Sequence, residues 1–239
     1  MPSSKRGSPT TDALRVVKVG GSLLASDEPA SQLRAWLNRQ KASSPQAQRV
    51  LLVGGGRLVD TLRQLDRVQS LGDDVAHWAA IDLMGVNAAV VAQWLQLELV
   101  AGDLQALRSE LTADVATIVY NPQRFLRQQE PTLPGTRLQV GWQTTSDSIA
   151  ARVATALGAS LTLLKSAAPP HGCQTGDWQA LAEWGYVDAA FPALAGGVGS
   201  ISVESLSGEA SWEEPARLVP SSSLGSALTG ISRNCLRAP

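Results

Sequence analysis

Short apolar runs alternate with longer stretches of helical periodicity from residue 14 onward. Leu14-Arg15-Val16-Val17-Lys18-Val19 is rich in β-branched residues and is stopped by Gly20-Gly21-Ser22. Residues 49–53 repeat that pattern and end in Gly54-Gly55-Gly56. Between the two, residues 30–41 bring Leu33, Trp36 and Leu37 to one side, the spacing of an amphipathic helix. The unit reads β-α-β with a glycine loop after each strand. Strands this uniformly apolar suit a parallel sheet covered on both faces.

Further along, residues 58–68 read as a helix with a Leu58, Leu62, Leu65 stripe, and residues 74–99 as a longer helix broken near Gly85. A third strand is predicted over 115–120, followed by a turn and helix start at Asn121-Pro122. Residues 131–141 read as loop, with a short strand at 138–140. Residues 146–157 read as a helix opened by a Ser/Thr/Asp cluster, and one of Ser146, Asp147 and Ser148 is expected to serve as its N-cap. Strands follow at 159–165 and 201–203, and the turn-rich stretch 220–226 reads as loosely ordered. Such alternation predicts an α/β fold with a doubly wound, mainly parallel sheet. Ligands in that fold sit at the carboxyl ends of the strands. The two glycine loops, residues 142–148 and Lys165-Ser166 all fall there.

Composition narrows the function. With 44% hydrophobic and 17% charged residues the chain is an ordinary globular one. Twenty basic residues balance 21 acidic ones, so no field exists to attract nucleic acid or an anionic membrane. Any anion must be held by a local site. Cys173 and Cys235 lack metal-ligand spacing and read as incidental thiols of a reducing compartment. His77 and His171 are the only histidines, which excludes a multi-histidine metal site. Ser148 has no histidine near it in sequence to form a hydrolytic triad. No uninterrupted apolar run reaches roughly 18 residues. Residues 1–12 read as a polar, disordered tail without the apolar stretch of a secretory signal. A cytoplasmic location is expected.

The motifs themselves point to phosphate. Lys18 precedes Gly20-Gly21-Ser22 at a strand end, where backbone N–H groups can approach phosphate oxygens closely. Neither this loop nor Gly54-Gly55-Gly56-Arg57 matches a Walker A or a dinucleotide fingerprint. Taken singly each is equally a tight βα turn; together they favour an anion site. Lys165 either reaches solvent or enters the cleft as a second cation, and no lysine follows it. Asp147 either caps its helix or holds an ammonium in place, which suits phosphoryl transfer by positioning and charge neutralisation. Trp142 stands just before the Thr-Ser-Asp cluster, where it can face an aromatic or apolar acceptor.

These segments resemble the amino acid kinase superfamily. The resemblance rests on residues 17–22, Val53-Gly54-Gly55-Gly56, and Thr145-Ser146-Asp147-Ser148-Ile149-Ala150-Ala151 leading to Leu157-Gly158-Ala159, and it covers about residues 14–205. It implies a three-layer αβα sandwich of the carbamate kinase type in one domain over 13–239. The acceptor side would take about 13–140 and the nucleotide side about 141–239. It implies transfer of the γ-phosphoryl of ATP, with Mg²⁺ carried by the nucleotide rather than by protein ligands. Lys18, Asp147 and Lys165 would be catalytic, with Asp147 orienting the lysines. Lys18, Gly20, Gly21, Ser22, Lys165 and Ser166 would bind the phosphates. Gly54, Gly55, Gly56, Arg57, Trp142, Ser146 and Ser148 would surround a small phosphorylated acceptor. A homodimer through the apolar stretch 81–99 would fit family habit, and core packing explains that stretch equally well.

Within the superfamily, residues 142–150, 77–85 and Tyr186-Val187-Asp188 look most like the kinase of methanofuran biosynthesis. That enzyme converts an aminomethylfuran-methyl phosphate to a diphosphate in one-carbon cofactor synthesis. The segment Lys165-Ser166-Ala167-Ala168-Pro169-Pro170-His171-Gly172 departs from the family's Asp-x-Asp-Gly pattern near the nucleotide. That departure leaves open a non-catalytic nucleotide- or anion-binding regulator, and the acceptor leaves open an isopentenyl phosphate or nucleoside monophosphate kinase.

Overall fold

A computed structural model of the chain describes residues 14–112, 116–170 and 176–206. The tail 1–12, the two cysteines, His171 and the stretch 220–226 lie outside the described residues. Six strands form one sheet: β1 Leu14–Val19, β2 Gln48–Val53, β3 Leu99–Val100, β4 Thr117–Tyr120, β5 Ser160–Lys165 and β6 Ile201–Ser205. Their order is β3-β4-β2-β1-β5-β6, and every pairing is parallel. From β1 the chain passes to β2, out to the edge strand β3 and back to β4 between them, then crosses to place β5 on the other side of β1. That reversal is the topological switch point, where a crevice opens beyond the strand ends.

Side-chain alternation assigns the two faces. Val17, Val19, Leu51, Val53 and Leu164 pack under α1 (Pro29–Ser43) and the C-terminal half of α3 (Asp73–Leu95). Val16, Val50, Leu52, Leu161 and Leu163 pack under α6 (Ser146–Leu157). Lys18 stands in register with Leu52 and Leu163, so it belongs to the face that α6 covers. Lys165 follows Leu163 by two residues and shares that face. Two cations and one helix start are thereby brought to a single corner by strand parity alone.

The helix α2 (Gly56–Val68) lies where the periodicity placed it, and α5 (Gln123–Gln128) begins just after the turn at Asn121-Pro122. The α3 helix does not break at Gly85. A Cβ there would come within 2.7 Å of Asn121 Nδ2, so this glycine lets the turn after β4 approach the helix. The helix ends instead at Gln96, in the left-handed region at φ 54°, and the chain turns into β3. The α3 helix has 23 residues, with an 18-residue window of mean hydropathy 1.5, and is apolar enough to cross a membrane by length and composition. Here it lies against β2 and β4, burying Ile81, Met84 and Val91 in the core.

No strand forms over 138–140. Buried Arg152 reaches across instead, pairing with Glu130 at 3.0 Å and donating to the carbonyls of Pro134 and Leu133. Glu130 in turn accepts from the Leu138 N–H. The loop is thus held by side chains rather than by a sheet ladder. Three short helices were not legible in the sequence: α4 (Leu104–Glu110), α7 (Trp178–Glu183) and α8 (Phe191–Ala195). None is long enough to display a helical period.

Candidate active site

At the carboxyl ends of β1 and β5 the two lysines meet one carboxylate. Lys18 Nζ lies 2.9 Å from Asp147 Oδ1, and Lys165 Nζ lies 2.8 Å from Asp147 Oδ2. Lys165 also donates to the Tyr186 carbonyl at 2.7 Å and sits 5.1 Å above the Tyr186 ring. All three charged groups are withdrawn from solvent. Burial alone would raise the Asp147 carboxyl, but Lys165 and Lys18 outweigh it and hold the group at about 2. Burial pushes Lys165 the other way, down to about 8, with Lys18 adding to the shift and Asp147 opposing it. The site therefore keeps an ionised carboxylate that cannot compete as a proton donor, beside an ammonium that is easily discharged.

The glycine loops flank this cluster, but they face each other more than they face a ligand. Gly20 donates its N–H to Leu164 and Gly54 donates to Val19, which extends the sheet pattern into both loops. Gly20 therefore has no N–H to offer a phosphate, contrary to the sequence expectation. Gly21 and Ser22 precede the first bond of a short 3-10 turn over Gly21–Ala25, so their N–H groups have no backbone partner among the described residues. A Cβ on Gly21 would fall 2.2 Å from the Gly56 nitrogen, which shows how closely the two backbones touch. Asn87 of α3 locks the second loop by donating to the carbonyls of Gly54 and Gly55, both at 2.8 Å. Across the mouth, the hydroxyls of Ser22 and Ser166 are 2.9 Å apart.

A cleft of about 560 Å³ opens above these groups. Lys18, Gly20, Gly21, Ser22, Lys165 and Ser166 line one end of it, as the sequence reading placed them. Gly55, Gly56, Trp142 and Ser146 also line it. Three expected acceptor contacts do not. Gly54 is buried beneath the Ser146 hydroxyl, Arg57 is exposed on the outside of α2, and Ser148 is fully buried with its hydroxyl donating to Asp188. Val59, Ala80, Ile81 and Met84 give the rest of the wall an apolar stretch, beside the polar groups Asp60, Arg63, His77, Gln143 and Thr144. Trp142 is fixed by a 2.8 Å hydrogen bond from its indole N–H to Asp66 and by the Arg63 guanidinium 4.9 Å over its ring.

Several groups at the site had no assigned role in the sequence. His77 lines the cleft, its Nδ1 near the Gly141 backbone, and burial lowers its pKa below the ordinary imidazole value. Thr144 is buried in the wall, and its hydroxyl has no partner among the described residues. Asp188 caps α6 from outside the helix, so the expected self-capping by a residue of the 146–148 cluster does not occur. Periodicity marks neither Asp188 nor Asn87, and the resemblance at Tyr186-Val187-Asp188 assigns the carboxylate no role, because each acts on a backbone more than 30 residues away.

Among the described residues no group of three or more His, Cys, Asp or Glu side chains could hold a metal. The chain matches the amino acid kinase family over residues 13–168, which spans Lys18, both glycine loops, Asp147 and Lys165. No curated protein matches. The fold is shared with the uridylate kinase of Archaeoglobus fulgidus at 16% identity and a TM-score of 0.52, covering 80% of this chain and 91% of that one. It is shared likewise with the UMP kinase of Bacillus anthracis, at 11% identity and a TM-score of 0.58, covering 81% and 87%. The aspartate kinase of Synechocystis aligns at 16% identity and a TM-score of 0.55, over 82% of this chain but 39% of that longer one. The family match covers the lysine–aspartate corner, and the shared fold places that corner at the sheet's switch point; the chain belongs to the amino acid kinase family, a superfamily of phosphotransferases.

Proposed function

We propose that this protein is an ATP-dependent kinase that transfers the γ-phosphoryl group to a small phosphomonoester, making a diphosphate. The observation that carries the reading is the pair of buried ammoniums held on the two oxygens of Asp147 at the floor of the cleft. Lys18 and Lys165 neutralise charge on the transferred group, and the N–H groups of Gly21 and Ser22 receive phosphate oxygens. Asp147 keeps the lysines apart and aimed, and transfer is direct and in line. Asp147 and Asp188 are both engaged by protein partners, so Mg²⁺ enters as the counter-ion of the nucleotide. When bound, it neutralises phosphate charge.

The far end of the cleft supports a small acceptor with a flat apolar body. Ile81 and Met84 form an apolar wall and Trp142 a fixed aromatic one, with Arg63, Gln143, Thr144 and His77 among the polar groups beside them. A furan-methyl phosphate, as in methanofuran or methylofuran synthesis in the cytoplasm, is the acceptor we propose. An ADP-release assay against a furan-methyl phosphate, isopentenyl phosphate and UMP tests it. Turnover with the furan substrate is the expected result; preference for either of the others reassigns the acceptor. Calorimetric binding of ATP without turnover on any of the three would make the protein a regulator.

The lysine chemistry adds a pH signature. Lys165 must be protonated to pair with phosphate, and its folded-state value of about 8 lies below the ordinary 10.5. Charge is therefore present below pH 8 and lost as pH rises through it. The value of kcat/KM for ATP is expected to fall on the basic side with a midpoint near 8, since that parameter reports the free enzyme. A flat profile to pH 10 would remove Lys165 from the phosphate contacts.

A further inference from the structure

The turn that precedes α8 carries Asp188, 40 residues beyond Ser148 in the first turn of α6, yet both of its carboxylate oxygens are spent on that helix start. Oδ2 accepts from the Thr145 N–H at 3.1 Å, the Thr145 hydroxyl at 2.8 Å and the Ser148 N–H at 3.0 Å. Oδ1 accepts from the Ser148 hydroxyl. Thr145, at the N-cap position, makes no capping bond of its own. The orphan donors of the first turn are therefore satisfied from a distance, and a negative charge sits where the helix dipole favours it. The same turn grips the other side of the cluster. The Tyr186 carbonyl accepts from Lys165, and the Tyr186 hydroxyl donates to Ala167 at 2.9 Å.

We infer that Asp188 is a positioning residue of the phosphoryl-transfer site, locking the first turn of α6 so that Asp147 stays between Lys18 and Lys165. Asp147 must meet both ammoniums at once, and it stands between the two residues that Asp188 holds. A small rotation of that turn would break one contact in gaining the other. Four groups face Lys165: Asp147 and Asp188 favour its charged form, Lys18 opposes it, and Tyr186 contributes its carbonyl and ring. Asp188 thus acts on Lys165 both through Asp147 and by its own charge. The functional consequence rests on the kinase reading; the positioning itself does not.

The chain has four lysines, Lys5, Lys18, Lys41 and Lys165, so ¹³Cε-lysine NMR can follow each one. In Asp188→Asn the amide oxygen can still accept from Thr145 and Ser148, so the fold is retained while the charge is lost. The Lys165 resonance is expected to titrate at lower pH than in the wild type, and the basic limb of kcat/KM to move with it. In Asp188→Ala the turn is released, and kcat is expected to fall about 100-fold, the cost of a misplacement near 1 Å. KM for the acceptor should stay within about threefold, because both Asp188 oxygens are occupied by protein. Asp188→Glu should recover part of kcat. A Lys165 titration unchanged in Asp188→Asn, with kcat within twofold, overturns the proposal. If the wild type turns over no acceptor yet the Lys165 resonance still moves, the kinase reading falls and the positioning role stands. If Asp188→Ala does not fold, the Asn variant decides.

Discussion

Replacing Asp147 by asparagine is expected to cut turnover by about a thousandfold, the scale set by removing a preorganised electrostatic element. The same change should destabilise the fold. Two ammoniums would share a buried corner without their carboxylate, and breaking such a pair costs about 3 kcal/mol. For a chain of this size that is a fall of roughly 6 to 12 °C in Tm. Lys165 would respond first. Burial and Lys18 already hold it at about 8, and without Asp147 it drops further and is discharged at neutral pH. Loss of activity and loss of charge are then one event, readable together by ADP release and by calorimetric titration of ATP. Wild-type kcat/KM in Asp147→Asn would sink the site assignment.

The pH dependence of stability follows from the same corner. Asp147 is depressed to about 2 in the folded state, so its stabilising contribution is fully present above the ordinary carboxylate value of 3.8. It is lost as pH falls from there toward 2. Lys165 is also depressed, which for a cation has the opposite consequence. Below pH 8 it is charged in both states and its burial penalty is fully present, and stability rises as pH climbs from 8 toward 10.5.

Gly21→Ala is expected to fail for a different reason. The new Cβ would lie 2.2 Å from the nitrogen and 2.6 Å from the Cα of Gly56, both backbone atoms with no rotamer to give. Gly56 is equally constrained, with φ at +50° and its own Cβ position 2.5 Å from the Gly21 carbonyl oxygen. The loops must separate, and the start of α2 moves with them. A loss of about 3 kcal/mol is expected from overpacking at a site that cannot relax. Gly158→Ala is the control. It also has a positive φ, of 66°, but open space around it, so backbone strain alone should cost about 1 kcal/mol. Urea unfolding midpoints compare the two. Equal losses would mean that the loop–loop contact is unimportant and that Gly21 serves the ligand alone.

Local chemistry was legible where it repeats along the chain. The apolar runs that became β1, β2 and β5 are continuous because both faces of the sheet are covered, and continuity survives in a linear reading. The helix 146–157 was read with its observed bounds, since a polar opening and a glycine at its end, Gly158 at φ 66°, are local signals. The three charged residues at the centre were legible too. Lys18 and Lys165 end strands of one sheet and Asp147 begins a helix, and in a parallel α/β fold such ends gather on one side.

What the sequence could not supply was the partner of each group. Lys18 and Asp147 are 129 residues apart, and only the β1–β5 pairing, with α6 crossing between, brings them within 3 Å. The glycines were legible as places where backbone comes close. Whether the approaching group is a phosphate or another loop is a property of the assembled crevice, and for Gly21, Gly54 and Gly56 another loop is part of the answer. Asp188, seen in the sequence only as part of Tyr186-Val187-Asp188, and Asn87 carry no local sign of the backbone each one binds, because a side chain that caps a distant backbone leaves its own neighbourhood ordinary. The chain by itself determined the central strands β1, β2 and β5, the helix that opens on the polar cluster around Asp147, and the cations that stand at strand ends. Tertiary structure alone decided which carboxylate they share. Propensity and periodicity act over a few residues, whereas charge pairing and steric contact act through space.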